Sequence, residues 1–199
     1  MKEFFTSVVF ICWALVANCF AQETDVMRDD RRRTFIADFI ATYEAAYENR
    51  KLDYIEQFFS SNALIITETM ELVRDGNELI PGLKKTRPYH MVVEDKKEYI
   101  DRLRQIFANN ISIKLSITGG PRVIRHNKYP EIYGVSFTQM WKDQNGGDNL
   151  ENQMPGYVFL LIDFKGREMC PKIYVRTWQP VENIKSPTDK FNIMDFTFE

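Results

Sequence analysis

Ile111-Ser112-Ile113-Lys114-Leu115-Ser116-Ile117 and Tyr133-Gly134-Val135-Ser136-Phe137-Thr138-Gln139-Met140-Trp141 decide the fold class. In the first, apolar side chains alternate with polar ones; in the second, Tyr133, Val135, Phe137, Gln139 and Trp141 share one parity and Gly134, Ser136, Thr138 and Met140 the other. Successive side chains of a strand point to opposite faces, so this period of two describes a sheet with one buried face. Gln144-Asn145-Gly146-Gly147-Asp148 then turns the chain into Tyr157 to Phe164, and Gly166 turns it into Lys172 to Trp178. Long strands joined by turns predict antiparallel pairing.

Upstream the period changes. Phe35, Ile36, Phe39, Ile40, Tyr43, Ala46 and Tyr47 recur at three- and four-residue steps, which makes one apolar helix face, and Asp29 and Asp30 can cap it. A break at Asn49-Arg50 leads to a short second helix with Leu52, Ile55, Phe58 and Phe59 inward. Ala63-Leu64-Ile65-Ile66-Thr67 reads as a buried strand, and residues 68–95, with Asp75-Gly76-Asn77, Pro81-Gly82 and Pro88, read mostly as turns. A third amphipathic helix follows from Lys96, carrying Tyr99, Ile100, Leu103, Ile106 and Phe107 on one side. The class is α+β: an antiparallel sheet with three helices, all placed before the run of long strands.

The amino terminus has a different logic. Met1-Lys2-Glu3 precede an apolar run from Phe4 to Ala17 broken only by Thr6 and Ser7, and Cys19-Phe20-Ala21 places small side chains where a signal peptidase inspects them. Residues 1–21 are therefore expected to be a secretory signal, with the mature chain in the periplasm or outside the cell. The alternative is a lipoprotein anchored at Cys19, against which Asn18 is a poor fit. Residues 22–32 read as a flexible linker, 33–180 as the domain and 181–199 as a C-terminal extension. No segment of the mature chain is long and apolar enough to span a membrane.

Net charge is −2, which argues against a nucleic-acid partner. Of three cysteines, Cys12 and Cys19 fall in the signal, so Cys170 alone remains and no disulfide framework is expected. His90 and His126 belong to no ligand-spaced pair, and neither a metal nor a cofactor is expected.

The order helix, helix, strand, helix, long strands resembles the nuclear transport factor 2-like superfamily over residues 33–180. The features that carry the resemblance are the long first helix, Phe58-Phe59 ending the second, Ser61-Asn62-Ala63-Leu64-Ile65 entering a strand, and the helix at Lys97 to Phe107. Arg125 to Gly134 and Val175-Arg176-Thr177-Trp178-Gln179-Pro180 point more narrowly to exported members from Gram-negative bacteria. The resemblance implies a cystatin-like cone, a curved antiparallel sheet wrapped around three N-terminal helices, whose open end holds a ligand. It also implies a fold shared by isomerases, dehydratases, polyketide cyclases and non-catalytic binders, so function must come from the site.

Alternation along the last strand places Tyr174, Arg176 and Trp178 on one face, within reach of Gln139 and Trp141 on another strand. Such a row suits an anionic or planar ligand, with Arg176 as a two-pronged clamp. Two catalytic candidates stand beside it. Asp163 shares a parity with Tyr157, Phe159 and Leu161, as a general base in an apolar setting would, and His126 could act in a His-Asp pair. Three functions follow: an exported, non-catalytic module binding a small molecule or peptide; a lyase or isomerase using Asp163 or His126; or a structural protein that forms a homodimer through its sheet.

Overall fold

The computed structural model describes residues 23–72, 82–84, 88–145 and 151–198. The chain divides into two units, one ending at Ile36 and one running from Ala37 to Glu199. Helix α1 spans Asp25–Glu48. It begins inside residues 22–32, so that stretch is helical from Asp25 on and not the flexible linker the polar composition suggested. The reason is electrostatic: Arg28 and Arg31 both pair with Glu23, at 3.3 and 2.8 Å, and Arg33 pairs with Asp29 one turn back at 2.8 Å. The signal-peptide expectation for residues 1–21 lies outside the described residues.

Within the larger unit, α1 ends at Glu48, and Arg50 takes a left-handed φ of 54° that turns the chain into α2 (Leu52–Phe58). Its guanidinium then donates to the Phe107 carbonyl at 3.1 Å, tying the turn to the end of α3 (Lys96–Asn109). A capping box opens α3: the Asp95 carboxylate accepts from the Glu98 amide, and the Glu98 side chain accepts from the Asp95 amide. Tyr99, Ile100, Leu103 and Phe107 are its buried face, as their spacing predicts.

Six strands form one sheet: β1 (Phe59–Leu72), β2 (Tyr89–Asp95), β3 (Asn110–Arg125), β4 (Ile132–Asn145), β5 (Glu151–Asp163) and β6 (Lys172–Pro180), in the order β2-β1-β6-β5-β4-β3. Four pairings are antiparallel, and β1 lies parallel to β6. The sheet is thus mixed where sequence suggested antiparallel throughout. Alternation within a strand fixes its faces and is silent on the direction of its neighbour. Residues 68–95, read as turns, contain the end of β1 and all of β2.

The two sheet faces are covered differently. Over one lie helices: the Tyr43 ring of α1 packs edge-on to Phe137 of β4, Tyr47 to Trp141, and Tyr99 to Phe59. Over the other lies the chain's own end. Ile66, Phe159, Leu161 and Val175 of the sheet enclose Phe191, Ile193 and Phe196, and the Phe159 and Phe196 rings stack 5.6 Å apart. Residues 181–198 therefore complete the core, with each buried aromatic or aliphatic side chain contributing about 1.5–3 kcal/mol. A polar latch holds them down. Buried Gln179 donates to Glu68 Oε2 at 2.9 Å and to the Asp189 carbonyl at 3.0 Å, while its own oxygen accepts from the Phe191 amide at 2.8 Å.

Candidate functional site

Pairing across β4, β5 and β6 sets Gln139 opposite Gly156 and Trp141 opposite Met154, with Arg176 opposite Leu160 and Trp178 opposite Val158. These positions share the helix-covered face. Gly156 has no side chain, and the Trp178 indole fills the space above it. The helices do not close completely over this corner. A cavity of about 260 Å³ remains, lined from the sheet by Thr67, Gln139, Trp141, Asp143, Met154, Arg176 and Trp178 and from the helices by Tyr47, Tyr99, Arg102, Leu103 and Ile106.

Arg176 is its chemical centre. The residue is only 6% exposed. Its Nε donates to the Tyr43 hydroxyl at 3.1 Å, and its guanidinium carbon stands 5.3 Å from the centroid of the Tyr99 ring. Among the described residues no carboxylate pairs with it. Burial opposes its charge, but the surrounding Tyr43, Tyr99 and Tyr47 oxygens outweigh that and hold its proton more tightly than usual. Tyr47 and Tyr99 hydroxyls meet at 2.6 Å. Burial drives both phenols upward, Tyr99 to about 12, so they are neutral donors at any ordinary pH.

Two further polar groups complete the lining. Asp143 is committed: its Oδ2 accepts from the Trp141 indole at 2.9 Å and its Oδ1 from Asn152 at 3.0 Å. Gln139 is 2% exposed, and among the described residues its Oε1 has no hydrogen-bond donor. Arg102, at the cavity edge, is bound to Glu94 at 2.6 Å.

Four of the five ligand-binding residues read from the sequence thus meet: Gln139, Trp141, Arg176 and Trp178. Tyr174 does not. Leu161 pairs with Val175 and Ile162 with Ile173, which leaves Tyr174 as an extra residue in a β-bulge. The bulge reverses the parity before Val175, and Tyr174 packs instead on the Phe159–Phe196 side. It lines a second cavity there of about 550 Å³, together with Asp163, Glu131, Leu64, Tyr129 and Phe198.

The two catalytic candidates lie apart from Arg176. Asp163 Oδ1 accepts from the Lys165 amide at 2.7 Å, organising the turn after β5. His126 Nδ1 accepts from the Lys128 and Tyr129 amides at 3.1 and 3.0 Å, so it too shapes a turn. Partial burial, with Lys84 and Lys128 nearby, holds its imidazole below the ordinary histidine value.

Sequence reasoning missed Tyr43, Tyr47 and Tyr99 as site residues and took them only as apolar helix positions. A signal existed: a tyrosine on a buried face needs a partner for its hydroxyl, where phenylalanine would not.

No protein-family model matches the chain, and no curated protein matches it in sequence. Solved structures do match. A nuclear transport factor 2-like superfamily protein from Salmonella enterica superposes with a TM-score of 0.56 at 9% identity, over 80% of this chain and 97% of that one. The chain has the nuclear transport factor 2-like fold. A candidate scytalone dehydratase from Novosphingobium aromaticivorans gives 0.55 at 7% identity, over 82% and 87% of the two chains. Bd1075 of Bdellovibrio bacteriovorus gives 0.52 at 16% identity; the match covers 76% of this chain and spans 42% of the length of Bd1075. At such identities the nuclear transport factor 2-like likeness speaks of architecture alone, and the chemistry rests on the cavity.

Proposed function

We propose that this chain is a non-catalytic binding module, exported from the cytoplasm, whose cavity holds a small molecule against Arg176. The observation that carries this reading is the buried guanidinium facing a cavity with no carboxylate partner among the described residues. Tyrosine oxygens hold the Arg176 charge in place, and a ligand anion would add the charge-assisted hydrogen bonds that no carboxylate among the described residues makes.

The non-catalytic reading is supported by the described lining, where no two groups are set to pass a proton between them. Tyr47 and Tyr99 keep their protons, and Asp143, the single carboxylate among the described residues of the lining, has both oxygens bound. Export rests on the apolar run Phe4 to Ala17 and on Cys19-Phe20-Ala21.

The test is recovery of the protein from its native extract, followed by native mass spectrometry and amino-terminal sequencing. A bound small molecule near one per chain is expected, absent from folded Arg176→Met, with the mature chain beginning at Gln22. Ligand-free protein that binds nothing from a fractionated extract overturns the binding reading. A chain that begins at Met1 overturns export by a cleaved signal, and acylated material beginning at Cys19 replaces it with a lipid anchor.

A further inference from the structure

Arg176 has one edge spent and one edge open. Its Nε donates to the Tyr43 hydroxyl at 3.1 Å, and its guanidinium carbon stands 5.3 Å from the centroid of the Tyr99 ring, so the group is held at two points. Neither terminal nitrogen has an acceptor among the described residues. Both nonetheless keep open surface: among the described residues, the fully enclosed side-chain polar atoms without a partner are Gln139 Oε1 and Thr177 Oγ1. Arg176 itself lines the cavity.

Two parallel N–H donors on a rigid plane match the two oxygens of a carboxylate. A charged acceptor makes each such bond roughly twice as strong as a neutral one, so an acid is favoured over its amide. Gln139 Oε1, with no open surface, takes no part in binding.

The charge that suits the cavity is a single one. Arg102, the other cation among the described lining residues, is spent at the edge, where its Nε and Nη2 donate to the two Glu94 carboxylate oxygens at 2.7 and 2.6 Å. The Asp143 carboxylate lines the same space and repels a further anion. A doubly charged ligand therefore meets one open cation and one fixed anion.

The rest of the lining is largely apolar, with Leu103 and Ile106 from α3 and Trp141, Met154 and Trp178 from the sheet. An apolar body placed there gains about 25 cal/mol for each Å² removed from water. The volume of about 260 Å³ lies below the range of drug-sized pockets, so that body is one ring or a short chain. Resting on the binding reading above, we infer that the cavity selects a small monocarboxylate with an apolar body, its carboxylate seated against the two terminal nitrogens of Arg176.

The experiment is calorimetric titration of the mature protein with phenylacetate and hexanoate, with their amides, with acetate, and with benzylphosphonate and hexylphosphonate in their doubly charged forms. At least one of the two acids should bind. Its amide should bind at least about tenfold weaker for want of the charge, and acetate about tenfold weaker for want of the apolar body. The phosphonate of the same body should also bind more weakly than the acid. Arg176→Met should abolish binding of the acid, and Arg176→Lys, which keeps the charge and loses the planar pair of donors, should weaken it about tenfold. Thermal melts check that both variants are folded, and the contrasts on the parent protein decide the matter if they are not. An amide within about threefold of its acid overturns the anionic requirement. A phosphonate as tight as its acid overturns the single-charge limit, and acetate as tight as the larger acid overturns the apolar body. Unchanged binding in folded Arg176→Met overturns the seat at that residue. Failure of both acids, alongside a co-purifying molecule of another class, overturns this ligand class and leaves the binding module standing. Failure of both with no co-purifying molecule overturns the class and the module together.

Discussion

The indole of Trp178 stands over Gly156, with its Nε1 2.0 Å from where a Cβ at residue 156 would lie. Glycine is required here by close approach. Gly156→Ala pushes the ring, held between β1 and β5, into the cavity or out of its rotamer. A loss of about 1–3 kcal/mol is expected in denaturant unfolding, together with weaker ligand binding. Unchanged stability would mean that Trp178 is free to move aside.

Arg176→Met should leave the ligand-free protein as stable as the parent or more so. The change removes a buried charge that no carboxylate pairs among the described residues, and methionine of similar length can fill the space. Thermal melts of the two proteins check this. A loss above about 3 kcal/mol would show that the guanidinium is a structural pin between Tyr43 and Tyr99.

Thr177 is fully buried on the opposite face from Arg176, and its hydroxyl has no partner among the described residues. Thr177→Val keeps the shape and removes the unsatisfied oxygen. Stability should rise by about 1 kcal/mol in urea unfolding.

Tyr99 gives a window for alkaline unfolding. Its folded value is about 12 against 10.0 for an unperturbed phenol, and Tyr47 is raised as well. Below pH 10.0 both states hold the proton and the shift has no effect on stability. Above it the unfolded chain loses protons that the folded one keeps, so stability falls until the folded phenol itself ionises near pH 12. Unfolding free energies measured from pH 8 to 11.5 should be level up to about pH 10 and fall beyond it. Tyr99→Phe should flatten part of that fall.

Removing residues 181–199 should abolish the monomeric fold. It uncovers Phe159, Leu161, Val175 and Ile66 and takes from Gln179 the Asp189 carbonyl and the Phe191 amide. Phe191→Ala, a milder form of the same lesion, should cost about 3–5 kcal/mol. Light scattering of the truncated chain should show association through the bared face. A soluble, stable truncated monomer would show that the end of the chain is dispensable.

The second cavity, beside Tyr174 and Asp163, is where two of the residues first singled out for chemistry come to rest. Their placement shows how far a single sequence reaches. The alternation of Gln139 and Trp141, or of Arg176 and Trp178, survives into the structure because nothing interrupts the pleat between them. Between Tyr174 and Arg176 the pleat is interrupted: Tyr174 is bulged out of the β5–β6 register, and one extra residue inverts every parity beyond it. A bulge is stabilised by both neighbouring strands, so one strand's own residues do not announce it.

By itself, then, the sequence determined the elements that depend on local spacing. These are the three helices, the long strands, and the shared face of Gln139 with Trp141 and of Arg176 with Trp178. Tertiary structure alone decided what is set by partners distant in the chain. The pairing of β1 with β6 runs parallel because α2 and β1 bring the chain in beside a strand formed more than a hundred residues later. Tyr43, Tyr47 and Tyr99 become a hydroxyl cluster around Arg176 only when α1 and α3 settle on the sheet, since the hydrogen bond from Arg176 to Tyr43 spans 133 positions. The periodicity of a helix says which side is buried; only packing says which charged group the buried hydroxyls will meet.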